Sequence, residues 1–434
     1  MSRNKYMLLS IAVIGLLLVG AALYIFLEDN DPYKHYTGLG DSFDLSSDNQ
    51  TVVFSYYLDG KEAIFSADRN GENVKQLTRF GSLNNHQPQL SSDGKHLLYL
   101  ARDEDGNNSL YVANSDGSSA KKITSPKLHI FKALFSASND TIYFTAMPAE
   151  DFHKAEGETK EGQDIYSITI NGTEEKQWTD RDYFSIDTFL FSPEGTALYY
   201  GEADGYVYTL ALDKRAKKED FSSELGAVES YSKSLSPDGS KFAYTAVSKE
   251  SEKASLYEYE LFLRDLQSGK TTRLTNLKTS VTAPEFFRTE NKMAFLEQKN
   301  WPSDPAEFIF TIIELDTKKL EKVTFKMPKS IEKSYSFGQF IDSVVNWLTI
   351  SILYILFIGL ISMHQRYFRL KKGYLPPLIS LLVAILGFIA SIIAAMNDPW
   401  AGIAIGMLSA GVLGCTLIVF IFVFLLNLIR KREA

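Results

Sequence analysis

The sequence has a single cysteine, Cys415, among 434 residues. One thiol excludes an internal disulfide framework, so any exported domain must be held together by its core alone. Histidine is also scarce. Apart from His364, the histidines are His35, His86, His96, His129 and His153; they are scattered singly and lack metal-ligand spacing. Asp103-Glu104-Asp105-Gly106-Asn107 is rich in oxygen ligands but has no distal Glu to complete a calcium loop, so it reads as a solvated turn. No metal and no cofactor is expected. Basic residues are in deficit, 45 Lys and Arg against 53 Asp and Glu, for a formal charge of −8. An acidic surface repels nucleic acid and anionic lipid headgroups, and it is also an ordinary solubility device.

Long apolar runs, by contrast, are abundant. Residues 1–6 carry Arg3 and Lys5, and 7–27 form an uninterrupted apolar stretch of about 21 residues, long enough to cross a bilayer at about 1.5 Å per residue. A cleaved signal peptide is the competing reading, but this run continues past its only small-residue site, Gly20 to Ala22. Three more runs follow at 340–363, 375–396 and 401–429. Basic residues gather in 364–374 (Arg366, Arg369, Lys371, Lys372) and in the tail 430–434, whereas 397–400 is only a short turn. Four spans would place every basic cluster on one side. By the positive-inside rule both termini are then cytoplasmic and the region between the first two spans is extracytoplasmic, which suits a bacterial cell envelope protein. The runs hold almost no ionisable residue at mid-depth, which argues against a pump or coupled transporter. In the last run Gly402, Gly406, Ala410 and Gly414 recur every four residues and predict a helix-packing face.

The long segment between the spans is repetitive. From Gln87 to Thr124 it reads as four short strands separated by Ser-Asp-Gly, an Asp/Gly/Asn cluster and a second Ser-Asp-Gly, which are hairpin turn signals. Copies align on an aromatic expected to end the second strand: Phe54, Tyr99, Phe144, Tyr200, Tyr244 and Phe295. Most copies close with an apolar residue and Thr, namely Leu77-Thr78, Ile123-Thr124, Trp178-Thr179, Leu274-Thr275 and Val323-Thr324. The fourth copy lacks this ending around Lys217 to Phe221, and Thr289-Glu290-Asn291 is a degenerate turn in the sixth. The aligned aromatics recur every 44–56 residues, and four-strand units at this period are the signature of propeller blades.

The turn Pro237-Asp238-Gly239, the aromatic-bearing strand and the Leu-Thr ending together resemble the repeat of TolB-type β-propellers. The resemblance covers roughly 41–325. It implies an all-β six-bladed propeller, and the apolar runs add linkers 28–40 and 326–339 leading to one N-terminal and three C-terminal helical spans. It carries over no catalytic residue, because the repeated positions shape turns and packing. Domains of this kind serve as protein-binding platforms or as accessory domains of peptidases.

Enzyme motifs are fragmentary. Gly40-Asp41-Ser42 matches the nucleophile block of GDS-type esterases, but no Asp-x-x-His follows and Asp151-Phe152-His153 is wrongly spaced. There is no Gly-x-Ser-x-Gly elbow, and the residues after the propeller offer no hydrolase domain. No catalytic residue is therefore assigned.

In a four-stranded blade the first strand starts, and the fourth ends, on the face that also carries the loops between second and third strands. Both linkers leave from that face, which would then lie toward the bilayer. Three of its loops are expanded: 147–163, 248–253 and 298–307. Trp301, Phe152 and His153 are the candidate interaction residues there, although rim insertions also arise by drift. The expected function is non-enzymatic, the binding of a protein, peptide or cell-envelope ligand by an anchored propeller acting as sensor or scaffold. The alternatives are an accessory subunit of a transporter or envelope assembly acting through its helices, and an enzyme whose site lies in the propeller channel.

Overall fold

The computed structural model describes residues 3–28, 31–155, 157–202, 207–213, 230–331, 337–369 and 372–432. The chain divides into two compact units, one of residues 31–333 and one of residues 1–30 with 334–434.

The first unit is built of antiparallel strands in consecutive groups. The first group is β1 (Gly38–Leu45), β2 (Thr51–Leu58), β3 (Lys61–Asp68) and β4 (Lys75–Gln76). The second is β5 (Asn84–Leu90), β6 (His96–Arg102), β7 (Asn108–Asn114) and β8 (Lys121–Lys122). The third is β9 (Leu128–Phe135), β10 (Thr141–Pro148), β11 (Asp164–Thr169) and β12 (Lys176–Gln177), and β13 (Ile186–Phe191), β14 (Ala197–Glu202) and β15 (Val207–Ala211) follow. Then come β16 (Tyr231–Leu235), β17 (Lys241–Val247), β18 (Tyr259–Asp265) and β19 (Thr271–Arg273), and last β20 (Ser280–Phe286), β21 (Lys292–Gln298), β22 (Phe308–Glu314) and β23 (Leu320–Val323). A parallel bridge at Tyr259 and Ser280 merges the last two groups into one eight-stranded sheet. First strands of neighbouring groups contact one another, β1 with β5, β13 with β16, β16 with β20 and β20 with β1. Repeated up-and-down sheets around an inner ring of first strands make a β-propeller. The fourth-copy ending around Lys217 to Phe221 lies outside the described residues.

Local chemistry explains the repeat. Ser46, Ser91, Ser136, Ser192 and Ser236 each accept, through Oγ, the amide N–H five residues on at 2.9–3.2 Å. The turn passes through a positive φ at Asn49 (59°), Gly94 (70°), Asn139 (60°), Gly195 (66°) or Gly239 (70°), a region open to Gly and Asn but costly for residues with a bulkier β-carbon. In the last group Phe287 takes the serine position, so that turn lacks the hydroxyl. Thr78, Thr124, Thr179 and Thr275 sit just past the short fourth strands. Each Oγ1 accepts the third-strand amide fourteen residues earlier, from Ile64, Leu110, Ile165 or Leu261, at 2.8–3.1 Å. The apolar-Thr ending is thus a side-chain extension of an edge too short to pair fully.

The repeated aromatics lie in the middle of the second strands rather than at their ends, because each strand continues for two to four residues beyond. Five of them face an aromatic directly across on the third strand: Phe54 with Phe65, Tyr99 with Tyr111, Phe144 with Tyr166, Tyr200 with Tyr208 and Tyr244 with Phe262. Their centroids are 5.5–6.0 Å apart. Such cross-strand pairs stabilise a sheet by up to about 1 kcal/mol each.

The first and last groups close on each other through side chains. Phe43 meets Phe310 edge-on at 4.9 Å, and Phe54 stacks on Phe325 at 4.0 Å. Both predicted linkers contribute to this unit. Tyr33 and Tyr36 pack on Tyr57 at 5.2 and 5.5 Å, the Ala306 amide donates to Tyr33 Oη, and Ile331 is buried in the closing core. Apolar burial draws in these residues despite the acidic composition around them.

The second unit holds helices α1 (Arg3–Leu27), α3 (Phe337–Val344), α4 (Trp347–Phe368), α5 (Leu375–Ala395) and α6 (Pro399–Arg432), with α2 (Ala149–Phe152) belonging to the propeller. Four of them, α1, α4, α5 and α6, are long and apolar enough to cross a membrane. The second span starts at Trp347 rather than Phe340. Asn346 breaks the predicted run, its side chain accepting the Thr349 amide as an N-cap, so Phe337–Val344 forms a separate short helix.

The helix-packing face also shifts. Gly402 and Gly406 face α5, where a Cβ on Gly402 would fall 2.4 Å from that of Ala395 and one on Gly406 would fall 3.0 Å from Ser391 Oγ. Ala410 is exposed and Gly414 has open space around it. Four-residue steps drift about 40° per step around a helix of 3.6 residues per turn, so the contact passes to Ser409 and Thr416. Thr416 and Ser380 share a hydrogen bond, and Ser380 meets Tyr354 at 2.6 Å, tying three helices together.

Candidate binding face

In every group the second-to-third connection lies at the end where the first strand begins. This linker face collects the chain's unusual polar chemistry. The first strands carry register shifts between Leu39 and Phe43, His86 and Gln89, Ile186 and Thr188, Tyr231 and Ser234, and Thr282 and Glu285. Bulges re-aim side chains, and here they turn Asp41, Asp187 and Lys233 out of the sheet alternation. Lys132 donates to the Asp187 carbonyl, and Lys233 pairs with the Asp187 carboxylate at 2.7 Å. One acid therefore bridges three inner strands, and burial lowers the Lys132 pKa.

The third strands begin with buried polar residues. Glu62, Asn108, Asp164 and Glu260 each stand one or two residues before the strand amide that the closing threonine accepts. Asp164 and Glu260 accept their threonine's hydroxyl at 2.6 and 2.5 Å. Asn108 instead gathers two histidines. Its Oδ1 is 3.0 Å from His86 Nε2, its amide donates to His129 Nδ1 at 3.4 Å, and its Nδ2 donates to the Ile130 carbonyl. Burial, helped by the Arg102 charge, lowers the pKa of both histidines to about 4. These histidines look isolated in the sequence but converge on one residue.

Glu62 differs from the others. It is 2 % exposed and its Oε1 has no hydrogen-bond partner. Burial raises its carboxyl to about 8, the Asp41 charge adds to the rise, and the Ser55 and Tyr57 hydroxyls pull the other way. Gly40 backs this side chain, for an added Cβ would sit 2.0 Å from Ser55 Oγ and 2.9 Å from Glu62 Oε1. Gly40-Asp41-Ser42 is therefore part of a polar pocket wall. Ser42 Oγ lies 3.2 Å from Ser55 Oγ and accepts the Gln87 amide, a structural role.

Phe152 and His153 lie beside the histidines. Asp151 folds their loop by accepting Lys154 Nζ at 2.8 Å and the Lys160 amide at 2.9 Å. The Phe152 ring then stacks 3.5 Å from His129, and His153 Nε2 is 3.0 Å from Asn107 Oδ1. Trp301 lies elsewhere on the same face. Its Nε1 donates to the Tyr257 carbonyl at 2.8 Å and its ring meets Tyr259 edge-on at 5.6 Å. Tyr231 packs on Tyr259 in turn at 5.5 Å. The predicted residues thus occupy two separate patches, one spanning the second and third groups and one spanning the last two.

Five large apolar side chains among the described propeller residues are exposed: Phe152, Phe184, Tyr231, Leu256 and Tyr257. All five lie on the linker face, in second-to-third connections or at the starts of first strands. Sequence reading singled out only Phe152 among them. Among the described residues no three His, Cys, Asp or Glu side chains are placed to hold a metal ion.

No family model matches the chain, and no curated protein sequence does. Its fold is similar to solved structures. TolB from Acinetobacter baumannii is 16% identical with a TM-score of 0.48, over 64% of this chain and 66% of that one, just under two thirds of its length. Oligogalacturonate lyase from Vibrio parahaemolyticus is 10% identical with a TM-score of 0.44, over 66% and 79%. A chain of the nidogen/laminin complex is 12% identical with a TM-score of 0.40, over 54% and 78%. Each is a likeness of fold among proteins with different names and activities.

Proposed function

We propose that the chain is a membrane-anchored β-propeller of six blades that binds a protein, peptide or cell-envelope ligand outside the cytoplasm, as sensor or scaffold, without catalysing a reaction. In this reading both termini are cytoplasmic, on the distribution of basic residues. One observation carries it: the exposed large apolar side chains of the described propeller all lie on the linker face. A soluble domain that exposes its apolar residues on one side has there the composition of an interaction surface. Trp301 supports the Tyr231, Leu256 and Tyr257 patch from beneath.

The test is site-specific photocrosslinking in intact cells from Tyr257 and Phe184, with Asp116 on the opposite face as control. The reading expects a protein or cell-wall adduct from the first two positions, retained when the helices from Phe340 onward are replaced by an unrelated anchor. Adducts that vanish with the native helices would move recognition to the helices and favour an accessory subunit. Equal labelling from Asp116 would remove the face from consideration. The Asp41 and Glu62 pair is the observation that favours an enzyme instead, since perturbed carboxylates concentrate at active sites; the serine hydroxyls beside it, Ser42 and Ser55, are engaged with each other and Ser42 also accepts the Gln87 amide.

A further inference from the structure

A cavity of about 250 Å³ lies among the turns of the last two groups, where Asp238 is engaged in turn hydrogen bonds and Glu290 in ion pairs with Arg69 and Lys292. Two more cavities in the propeller are large enough to hold a small molecule. One of about 640 Å³ lies among the turns of the first two groups. Its lining Ser46, Asp48 and Asp93 are already engaged in turn hydrogen bonds. The other, about 190 Å³, opens on the linker face and is lined among others by Tyr33, Asp41, Tyr57, Glu62, His86 and Arg102. It contains the buried Glu62 carboxyl whose Oε1 is unpartnered.

A buried acceptor without a donor is a costly feature that a fold retains only where something completes it. The missing group must bring N–H or O–H to Oε1. It should be cationic, because Asp41 lines the same wall and an ionised Glu62 beside it needs a counter-charge. A divalent metal suits the site poorly. His86 Nε2 is engaged with Asn108, and no three ligating side chains converge among the described residues. Tyr33 and Tyr57, with centroids 5.2 Å apart, supply aromatic faces for an alkyl chain and its charge.

We propose that this cavity binds a small primary amine as its ammonium ion, with an N–H donating to Glu62 Oε1, Asp41 as the second carboxylate and the carbon chain against Tyr33 and Tyr57. Arg102 bounds the site and disfavours a second positive charge on the ligand. Near neutral pH the empty pocket holds Glu62 protonated. Binding forms the ion pair by sending that carboxyl proton to the buffer, while the ammonium keeps its own three. The amine is either free or the side chain of a lysine presented by a peptide. This site is independent of the apolar patches, so its failure would leave the interaction face standing.

The test is calorimetric titration of the full chain in lipid nanodiscs at pH 7, in two buffers of different ionisation heat. The probes are n-butylamine, N-butylacetamide, butyrate and an N-acetylated peptide with one lysine. Saturable binding of butylamine, none of the amide or butyrate, and release of close to one proton per amine are expected. Binding of the lysine peptide as well would identify a presented side chain as the source, and its exclusion a free amine. Glu62→Gln should weaken butylamine by at least about tenfold, the scale of a lost charge-assisted hydrogen bond, and abolish proton release. Asp41→Asn, at a more exposed position, should weaken it by about three- to tenfold and is the second variant should Glu62→Gln fold poorly. Equal binding of amide and amine, proton release that survives Glu62→Gln, or no saturable heat with butylamine would overturn the proposal.

Discussion

Asn49 and Arg288 are 239 residues apart in the chain, and the Arg288 amide donates to Asn49 Oδ1 at 2.9 Å. Asn49 Nδ2 also donates to Thr289 Oγ1 at 2.5 Å. The same asparagine supplies the positive φ of its own turn, so one residue forms a hairpin and joins the ends of the propeller. It is fully buried, which makes the Asn-x-Thr triplet at this position unavailable to any modifying enzyme in the folded protein. Asn49→Ala removes both bonds and strains the turn. A loss of about 2–3 kcal/mol is expected, read as a fall in the denaturant midpoint, with Asn49→Asp recovering part of it through the retained acceptor.

The closing threonines make a second prediction. Thr78→Val keeps the shape of the side chain and deletes the acceptor for the Ile64 amide. The buried amide then lacks its side-chain partner, at a cost of about 1–2 kcal/mol. Thr78→Ser should lie close to the parent, and a loss for Ser with none for Val would show that packing of the methyl group, not the hydroxyl, is what matters.

The pH dependence of stability follows from the linkage between protonation and folding. Glu62 has a raised carboxyl in the folded state, about 8 against an ordinary value near 4.5. Below pH about 4.5 both folded and unfolded chains hold the proton and the group has no effect. As pH rises through that window only the unfolded chain gives the proton up readily, so Glu62 destabilises the fold increasingly until pH 8. His86 and His129 act oppositely. Held near 4 against 6.5, they oppose folding as pH falls from 6.5 to 4. The stability gained by Glu62→Gln relative to the parent should therefore grow between pH 5 and 8, by a few kcal/mol at most. Urea midpoints at pH 5, 6.5 and 8 measure it, and a constant difference would contradict the folded-state pKa.

Gly402→Leu and Gly414→Leu separate true from apparent packing positions in the last helix. The first drives a side chain into the backbone of Ala395, and the second points into open space. The expectation is a loss of about 1–3 kcal/mol for Gly402→Leu and little change for Gly414→Leu, compared by thermal aggregation in detergent. A larger effect at Gly414 would indicate that a second copy packs there.

The fold was legible because its signals are local. Ser-Asp-Gly turns, strand aromatics and apolar-Thr endings each act within about fifteen residues, so they repeat as sequence and can be aligned. The interruption at Asn346 was legible in principle, since Asn with Thr three residues later is an N-cap signal, but hydropathy smoothed over it. The drift of the Gly402 face follows from helical pitch. The polar pocket was not legible in this way. Glu62 meets Asp41 across two strands, and Asn108 joins His86 and His129 from neighbouring groups, with registers set by bulges that no residue pattern announces. The polar residues near the third-strand starts, Glu62, Asn108, Asp164 and Glu260, were the one available clue. Gly40-Asp41 drew attention as an esterase block and stands in the wall of a polar pocket, and Trp301, singled out as an interface-type residue, has its indole anchored to the Tyr257 carbonyl.

Closure of the propeller by contacts between its first and last groups has a consequence in time. The partners of Asn49 emerge from the ribosome 240 residues after it, on the order of tens of seconds at typical elongation rates. Throughout that interval the first group carries Phe43 and Phe54 with neither Phe310 nor Phe325 present to cover them. The nascent first sheet is thus an adhesive surface awaiting the end of its own chain, and the cell must keep it from neighbouring polypeptides until the last sheet arrives.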